Sequence, residues 1–265
     1  MMADVDRETE SATLSHESEK RETGRSYDEY WSGSTGWSPP AGLDDDLRSW
    51  LDPLMVRGRK ALDVGCGDGA RYGERVRASG VDVHGVDISE VAVESARERG
   101  VDARVASLAD PLPYPDASFD VVICLEVLEH LVDPAVVSRE IARVLKPGGF
   151  ALLSVPNSAF WTTRVEFLFT GHFNPRGSPV TQRAFPWRDP HLRFFNGKSL
   201  VAMLADSGLR TVKSGGLECQ FLRIHGAQKM LGGKSWVDGP LAAIGSMWPS
   251  MLARRCIVLA TPQER

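Results

Sequence analysis

The stretch KALDVGCGDGA, residues 60–70, constrains the fold most strongly, because an apolar run ends in three glycines spaced two residues apart. The apolar run predicts a β-strand over residues 60–64, and the segment after the glycines predicts a helix over residues 71–78. Glycines allow a sharp backbone turn and a close approach to a ligand, and a helix that begins after them presents free amide groups. The sequence therefore predicts a ligand-binding turn between a strand and a helix.

Short apolar runs alternate with helix-period segments from about residue 45 onward, which predicts strands joined by crossover helices and hence a parallel sheet. The run FDVVICL is almost wholly apolar, as expected of a central strand that is covered on both faces. The pattern predicts an α/β fold with a Rossmann-like, mostly parallel sheet of seven strands and helices on both faces. The predicted strands are 60–64, 81–87, 103–106, 119–125, 150–155, 209–213 and 255–260, and the later predicted helices are 91–98, 135–145 and 198–205.

Two segments differ in composition from the alternating region. Residues 1–26 are rich in Glu, Ser, Thr and Arg and lack an apolar core, which predicts a disordered leader before one domain over residues 27–265. Between about residues 157 and 196 the alternation stops and prolines, glycines and aromatic residues dominate, which predicts an inserted cap. The aromatic residues of this cap include Trp161, Phe167, Phe169, Phe173, Phe185 and Trp187.

Charge and composition limit the classes of partner. The formal net charge of −4 gives no general electrostatic reason to bind nucleic acid, so a nucleic-acid partner is not expected. No run reaches the length of a membrane span, although residues 239–252 are apolar enough to predict weak contact with lipid. The four cysteines are far apart in sequence, which favours a reduced, cytoplasmic protein. The sequence does not predict an oligomeric state.

Asp87 is the first candidate for binding a nucleotide-like ligand. It ends the second predicted strand, 20 residues after Gly67, where a carboxylate can accept hydrogen bonds from ribose hydroxyls. The same arrangement is typical of proteins that bind NAD and of proteins that bind S-adenosylmethionine. The glycine pattern also satisfies a relaxed dinucleotide fingerprint, so these residues alone leave both alternatives open.

Three further motifs favour one alternative. Asp63 precedes the glycines in LDVGCG, the sequence LPYPDASFDVV leads into the fourth strand, and VLKPGG precedes the fifth. In this order they resemble the class I S-adenosylmethionine-dependent methyltransferases of the type 11/12 branch, so residues 27–265 are identified as a domain of that class. The resemblance implies S-adenosylmethionine as cofactor, with the ribose on Asp87 and adenine against Ile88. It implies a cofactor site of Asp63, Gly65, Cys66, Gly67, Asp87, Ile88, Ser107, Leu108 and Leu125.

The sequence LEVLEH places three ionisable side chains directly after the fourth strand, at the sheet edge where open α/β folds bind ligands. If it forms a helix, Glu126, Glu129 and His130 share one face. Three interpretations compete: structural packing, a general-base role for His130, and a divalent-metal site. The motif resembles ubiquinone-pathway O-methyltransferases and, more distantly, small-RNA 2′-O-methyltransferases, and the latter resemblance adds His191 as a further metal ligand for Mg²⁺ or Mn²⁺.

These residues lead to a hypothesis about the reaction. A group that removes a proton is needed for a hydroxyl acceptor more than for an amine or thiol with a ready lone pair, so O-methylation is expected. The predicted catalytic residues are His130, Glu126 and His191. The expected acceptor is a small molecule: a quinol, a phenol, a natural product, or a sugar or lipid glycan. The alternatives are a non-catalytic S-adenosylmethionine-binding regulatory protein and an RNA 2′-O-methyltransferase.

Overall fold

The central feature of the fold is a seven-stranded, mostly parallel sheet in the order β3-β2-β1-β4-β5-β7-β6, as the sequence predicts. The computed structural model describes residues 17–18, 20–32, 43–70, 79–171, 173, 191–219 and 249–264. Strand β7 runs antiparallel to both of its neighbours, whereas the pairs from β3 to β5 are parallel. The strands are β1 Lys60–Val64, β2 Asp82–Asp87, β3 Asp102–Val105, β4 Phe119–Leu125, β5 Leu145–Pro156, β6 Leu209–Cys219 and β7 Ala253–Pro262.

Helices cover both faces of this sheet, which confirms the predicted layering. Neighbouring residues of one strand point to opposite sides, so that Leu62 of β1 belongs to one buried cluster and Ala61 to the other. The first cluster includes Ile141 and Leu200, and the second includes Leu51 and Val93. In chain order the helices are α1 (20–32), α2 Leu43–Leu51, α3 Glu90–Glu98, α4 Pro134–Val144, α5 Trp161–Thr170, α6 Gly197–Asp206 and α7 Pro249–Leu252.

Side-chain caps set the starts of several helices. The Asp133 side chain accepts a hydrogen bond from the Ala135 amide, and Pro134 occupies the first turn of α4, where its missing N–H costs nothing. Asn196 caps α6 in a reciprocal arrangement with Ser199. Both helices therefore begin within one residue of the predicted positions.

The later strands are longer than predicted. Strand β5 begins at Leu145, the last residue of the predicted helix 135–145 and five residues before the predicted strand. A register shift between Phe119 and Val121 lets Leu145 pair with Phe119 before regular pairing resumes. Strand β6 continues to Cys219 because β7 extends alongside it as an antiparallel partner. Intrinsic strand propensities do not reveal a strand segment that forms because a neighbouring strand pairs with it.

Several predicted segments are only partly described. The predicted helix 71–78 lies outside the described residues, as do residues 1–16 of the leader, residues 172 and 174–190 of the cap, and residues 239–248 of the apolar run. Residues 20–32 form helix α1, so regular structure extends into the predicted disordered leader, across its boundary at residue 26. Within the described part of the chain, no helix is both long and apolar enough to cross a membrane.

Candidate active site

The glycine turn directly follows β1, at the position that the sequence predicts. The amides of Gly65 and Cys66 both donate to the carbonyl oxygen of Val86, at 2.8 and 3.0 Å, which fixes the turn against the end of β2. Gly65 has φ +74°, a conformation that side-chain-bearing residues rarely adopt. A Cβ at this position would lie 2.4 Å from Val127 Cγ2, so the close approach of the neighbouring loop requires glycine.

Asp87 is held in place by two amides at the end of β2. Gly67 N–H donates to its Oδ2 at 2.9 Å, and Ser89 N–H donates to its Oδ1 at 3.0 Å. Burial raises the pKa of the Asp87 carboxyl, whereas these amide hydrogen bonds oppose the shift. Each carboxylate oxygen can accept a further bond. The carboxylate is therefore oriented and has acceptor capacity left for ribose hydroxyls.

Asp63 and Cys66 line the same turn from inside the sheet. Asp63 is buried at the end of β1, and Cys66 is buried just after it. Burial raises the pKa of the Cys66 thiol far above its usual value, and the nearby Asp63 carboxylate adds to the shift. Cys66 therefore stays protonated and packs as a small apolar residue.

The remaining predicted cofactor residues lie along the same edge of the sheet. Ser107 accepts the Ala109 amide at its Oγ (3.2 Å), so its hydroxyl closes a turn after β3. Leu108 is buried beside it, and Leu125 is buried at the end of β4. Their contacts with adenine and methionine stay predictions, and so does the contact of Ile88.

Glu126 lies in a different network from the one that the sequence predicts. Its φ is +58°, and a short 3-10 helix begins only at Leu128, so the shared helical face that would join it to Glu129 does not form. Ser154 Oγ donates to Glu126 Oε1 at 2.8 Å, and Arg255 Nε lies 3.6 Å from Oε2. The structure therefore does not bring Glu126 into the predicted metal site. Sequence reasoning missed Ser154 and Arg255, which no motif marks.

The structure does bring Glu129, His130 and His191 together. Glu129 Oε1 lies 3.9 Å from His130 Nε2 and 4.0 Å from His191 Nε2, and the two imidazole centroids are 4.8 Å apart. The amides of Leu192 and Arg193 both donate to the Glu129 carbonyl oxygen, at 2.8 and 3.0 Å. These backbone bonds hold the 191–195 segment against the loop after β4, which brings residues far apart in sequence into one cluster.

This cluster consists of residue types that can hold a divalent metal. One donor atom from each of Glu129, His130 and His191 lies within 4.8 Å of the others. Donors of one ion with ligand bonds of roughly 2.0–2.2 Å lie about 3–3.5 Å apart, so these side chains would move closer together around an ion. A carboxylate with two imidazoles suits Mn²⁺, Fe²⁺ or Zn²⁺ better than Mg²⁺. These three residues fit a metal, whereas Glu126 does not join them.

Helix α1 also reaches this edge, and the sequence analysis missed its side chains. Burial raises the pKa of the Tyr27 hydroxyl, and the charges of Asp87 and Glu129 raise it further. Tyr27 is therefore close enough to respond electrostatically to both the predicted ribose acid and the carboxylate of the cluster. Aromatic residues spaced four apart at Tyr27 and Trp31 were the available signal, because that spacing places them on one helical face.

Known proteins that resemble this chain include methyltransferases. Residues 62–153 match the family described as "Methyltransferase domain". A ubiquinone biosynthesis O-methyltransferase of Thiobacillus denitrificans is 30% identical over 198 residues, which cover 71% of this chain and 81% of that protein. The 27-O-demethylrifamycin SV methyltransferase of Amycolatopsis mediterranei is 50% identical over 129 residues, covering 45% of this chain and 47% of that one.

A solved structure shows the same fold. Phosphoethanolamine N-methyltransferase 2 of Haemonchus contortus, in complex with S-adenosyl-L-methionine, aligns with a TM-score of 0.58 and 21% identity. The alignment covers 91% of this chain and 57% of that chain. At this identity the likeness concerns the fold, and the family follows from the sequence relatives and from the glycine turn with its acid. The chain belongs to the S-adenosylmethionine-dependent methyltransferases.

Proposed function

We propose that this methyltransferase transfers a methyl group to a hydroxyl of a small-molecule acceptor, with His130 as the proton acceptor. The observation that carries the proposal is the cluster of His130, His191 and Glu129 at the edge of the sheet that holds the cofactor turn. Both named relatives support oxygen as the acceptor, because each is named for an O-linked methylation. A quinol, a phenol, a natural product and a glycan hydroxyl fit this chemistry.

The proposed step is a direct displacement. S-adenosylmethionine supplies, when bound, a methyl group on a positively charged sulfur. The acceptor oxygen would take this methyl group, and the electron pair of the broken carbon–sulfur bond would remain on sulfur. His130 Nε2 accepts the hydroxyl proton, and the buried Glu129 carboxylate, 3.9 Å away, stabilises the resulting imidazolium. Asp87 and the glycine turn would hold the ribose and so position the methyl group for this step.

A His130→Asn variant tests the proposal. Removing the proton acceptor is expected to lower turnover with a phenol or quinol acceptor by about 10²- to 10⁴-fold. The affinity for S-adenosylhomocysteine, measured by calorimetry on the same preparation, is expected to stay nearly unchanged, because His130 is not one of the predicted cofactor residues. Unchanged turnover in His130→Asn with intact affinity would exclude the general-base role.

A metal-dependent form of the same reaction is a second candidate, favoured by the spacing of the three donors. Glu129, His130 and His191 would hold the ion, which would lower the pKa of a bound hydroxyl. Turnover lost with EDTA and restored by Mn²⁺, in the wild type but not in His191→Ala, is the expected outcome of this form. Full activity after EDTA, with no metal by elemental analysis, supports the metal-free form.

The proposal includes a cytoplasmic location. Cys66, Cys124 and Cys256 are buried free thiols, which fit a reducing compartment. Burial also raises the pKa of the Cys124 thiol well above its usual value, so these cysteines do not behave as reactive nucleophiles.

A further inference from the structure

Helix α1 presents one half-buried stripe to the rest of the protein. Lys20, Gly24, Tyr27, Asp28 and Trp31 are partly buried, whereas the helix positions between them are exposed. These five residues follow the helical period, since neighbours three and four apart share a face. Helix α1 therefore lies against the protein along its whole length, and each stripe residue marks a point of contact.

Polar contacts anchor the stripe at two places. Lys20 Nζ donates to Asp110 Oδ1 at 2.7 Å, in the loop after β3. Asp28 Oδ1 accepts from Ser89 Oγ at 2.6 Å and from the Val91 amide at 3.3 Å, at the start of α3. The second contact places a carboxylate at a helix N-terminus, where the helix dipole favours negative charge. We call the hydrogen bond between Asp28 and Ser89 the latch.

Close packing joins the stripe to the predicted cofactor residues. A Cβ at Gly67 would lie 2.6 Å from Trp31 Cζ2, so the indole rests directly on the glycine turn. A Cβ at Gly24 would lie 3.6 Å from the Ile88 carbonyl oxygen. Tyr27 is between these two points on the stripe, and its pKa responds to Asp87 and to Glu129 on the acceptor side.

These contacts define where α1 lies. Its stripe reaches the loop after β3, the start of α3 after β2, and the turn after β1. These three strands are neighbours in the sheet, in that order. Helix α1 therefore crosses the carboxyl ends of three adjacent strands, where open α/β sheets bind ligands.

We propose that α1 is a wall of the cofactor site, that Tyr27 and Trp31 contact the bound cofactor, and that the latch between Asp28 and Ser89 holds this wall closed. The inference rests on the cofactor site and not on the identity of the acceptor. Closing a site in this way slows exchange of the bound molecule, because the wall must open before the product leaves. Asp28 acts through the helix, so it is a positioning residue.

Tryptophan fluorescence tests the position of Trp31. Addition of S-adenosylhomocysteine is expected to change the fluorescence of the wild type and of Trp50→Phe, and to leave that of Trp31→Phe almost unchanged. Trp50 is a matched control, because it packs against Gly215 of β6, away from the glycine turn. A full response in Trp31→Phe would show that its indole does not contact the bound molecule. Tighter binding in Trp31→Ala would show that the indole blocks the site, and would also overturn the proposal.

Dissociation of S-adenosylhomocysteine tests the latch without any acceptor, so its result is independent of the O-methylation proposal. Asp28→Ala is expected to raise the dissociation rate about tenfold or more, since it removes two hydrogen bonds to a charged group. Glu29→Ala makes the same change of charge on the exposed face and is expected to leave the rate nearly unchanged. Asp28→Asn keeps an acceptor oxygen and is expected to restore slow release.

Equal dissociation rates of S-adenosylhomocysteine from Asp28→Ala and Glu29→Ala would overturn the proposed role of the latch. If Asp28→Ala does not fold, Lys20→Ala provides a second variant, because its ion pair with Asp110 lies at the other end of α1 and is partly exposed. It is expected to speed release by a smaller factor, as surface ion pairs contribute little. No change in Lys20→Ala would contradict closure by the whole helix.

Discussion

Glu126 combines an unfavourable backbone conformation with a well-bonded side chain. Its φ of +58° is uncommon for a residue other than glycine, and such conformations persist only where surrounding contacts determine them. Its amide donates to the Ser154 carbonyl oxygen at 3.0 Å, and the Ser154 hydroxyl donates to its carboxylate. Ser154, near the end of β5, therefore holds Glu126 in the turn after β4 through both its carbonyl oxygen and its hydroxyl.

A Ser154→Ala variant tests this role. Ser154 is 2% exposed, so its loss removes a buried hydrogen bond to a carboxylate and is expected to lower the free energy of unfolding by about 1–3 kcal/mol. Urea unfolding measures this change. Ser118→Ala is the matched control, because that hydroxyl donates to the Pro115 carbonyl oxygen in an exposed turn. Equal losses in the two variants would contradict a special role for Ser154.

Single residues differ in how well the sequence predicts them. The conformation of the glycine turn and the place of Asp87 at the end of β2 were predictable, because both follow from local sequence patterns, whereas the ribose contact stays a prediction. Glu126 was assigned to the wrong network, because the prediction assumed a helix from residue 126. A positive φ at a glutamate depends on Ser154, which lies 28 residues away.

At the scale of elements, an ion pair within α4 links this helix to the loop before β4 through hydrogen bonds to the loop backbone. Arg143 donates to Glu140 Oε2 at 2.6 Å and to the Tyr114 carbonyl oxygen at 2.9 Å, while Glu140 accepts the Leu112 amide at 2.8 Å. The hydrogen bond from Arg143 lowers the pKa of the Glu140 carboxyl, although burial opposes the shift. This loop lies between β3 and β4, so the pair orders the connection beside the predicted adenine contacts.

The lowered pKa predicts a pH-dependent contribution to stability. A glutamate titrates at about pH 4.3 when unfolded and lower here, so its contribution is complete above that pH and is lost as pH falls through the folded value. Glu140→Gln is expected to lower the free energy of unfolding at neutral pH by about 1–3 kcal/mol, with a smaller difference below about pH 4. Urea unfolding at both pH values checks this.

The control for that experiment is Glu98→Gln, near the end of α3, whose side chain is exposed. Its effect is expected to stay within about 0.5 kcal/mol at both pH values, as is usual for surface substitutions. If Glu140→Gln lowered the free energy of unfolding by the same amount at both pH values, the ion pair would make no pH-dependent contribution to stability.

Whole elements were more predictable than single contacts. The central strand β4 has the predicted bounds, because a strand covered on both faces is apolar throughout its length. The bounds of β5 and β6 were underestimated, because Leu145 of β5 pairs with β4 ahead of the regular register and β6 follows β7 beyond its apolar run. The 3-10 helix at Leu128–His130 replaced an expected α-helix, since only two residues separate it from Asp133, the cap of α4.

For the whole molecule, the contacts that complete the candidate site are long-range. Lys20 and Asp110 are 90 residues apart, and Asp28 and Ser89 are 61 apart. Periodicity and propensity carry no information about such pairs, which explains why α1 was absent from the predicted site. His191 was a candidate from the sequence RDPHLRFF, and a family resemblance strengthened it. The sheet could be predicted from local patterns. The position of α1 and the proximity of His130 and His191 depend instead on segments that are distant in sequence and pack at the same edge of the sheet.

Cofactor binding at one edge should stabilise the whole domain, because a ligand that binds only the folded state adds to the free energy of unfolding. S-adenosylhomocysteine at a concentration of about 100 Kd is expected to add about 2.7 kcal/mol to the wild type. In Asp87→Ala the loss of a charged hydrogen bond weakens binding about tenfold or more, so the same concentration should add about 1.4 kcal/mol or less. Urea titrations with and without the ligand measure both values.

Asp206→Ala, at the exposed end of α6, is the matched control for this comparison, because it removes the same charge far from the glycine turn. It is expected to keep the full increment. If Asp87→Ala also kept it, the amides of Gly67 and Ser89 would orient that carboxylate for structure alone, and the ribose assignment would be wrong. A reduced increment in Asp87→Ala alone would identify the end of β2 as the point where ligand binding is transmitted to the stability of the sheet.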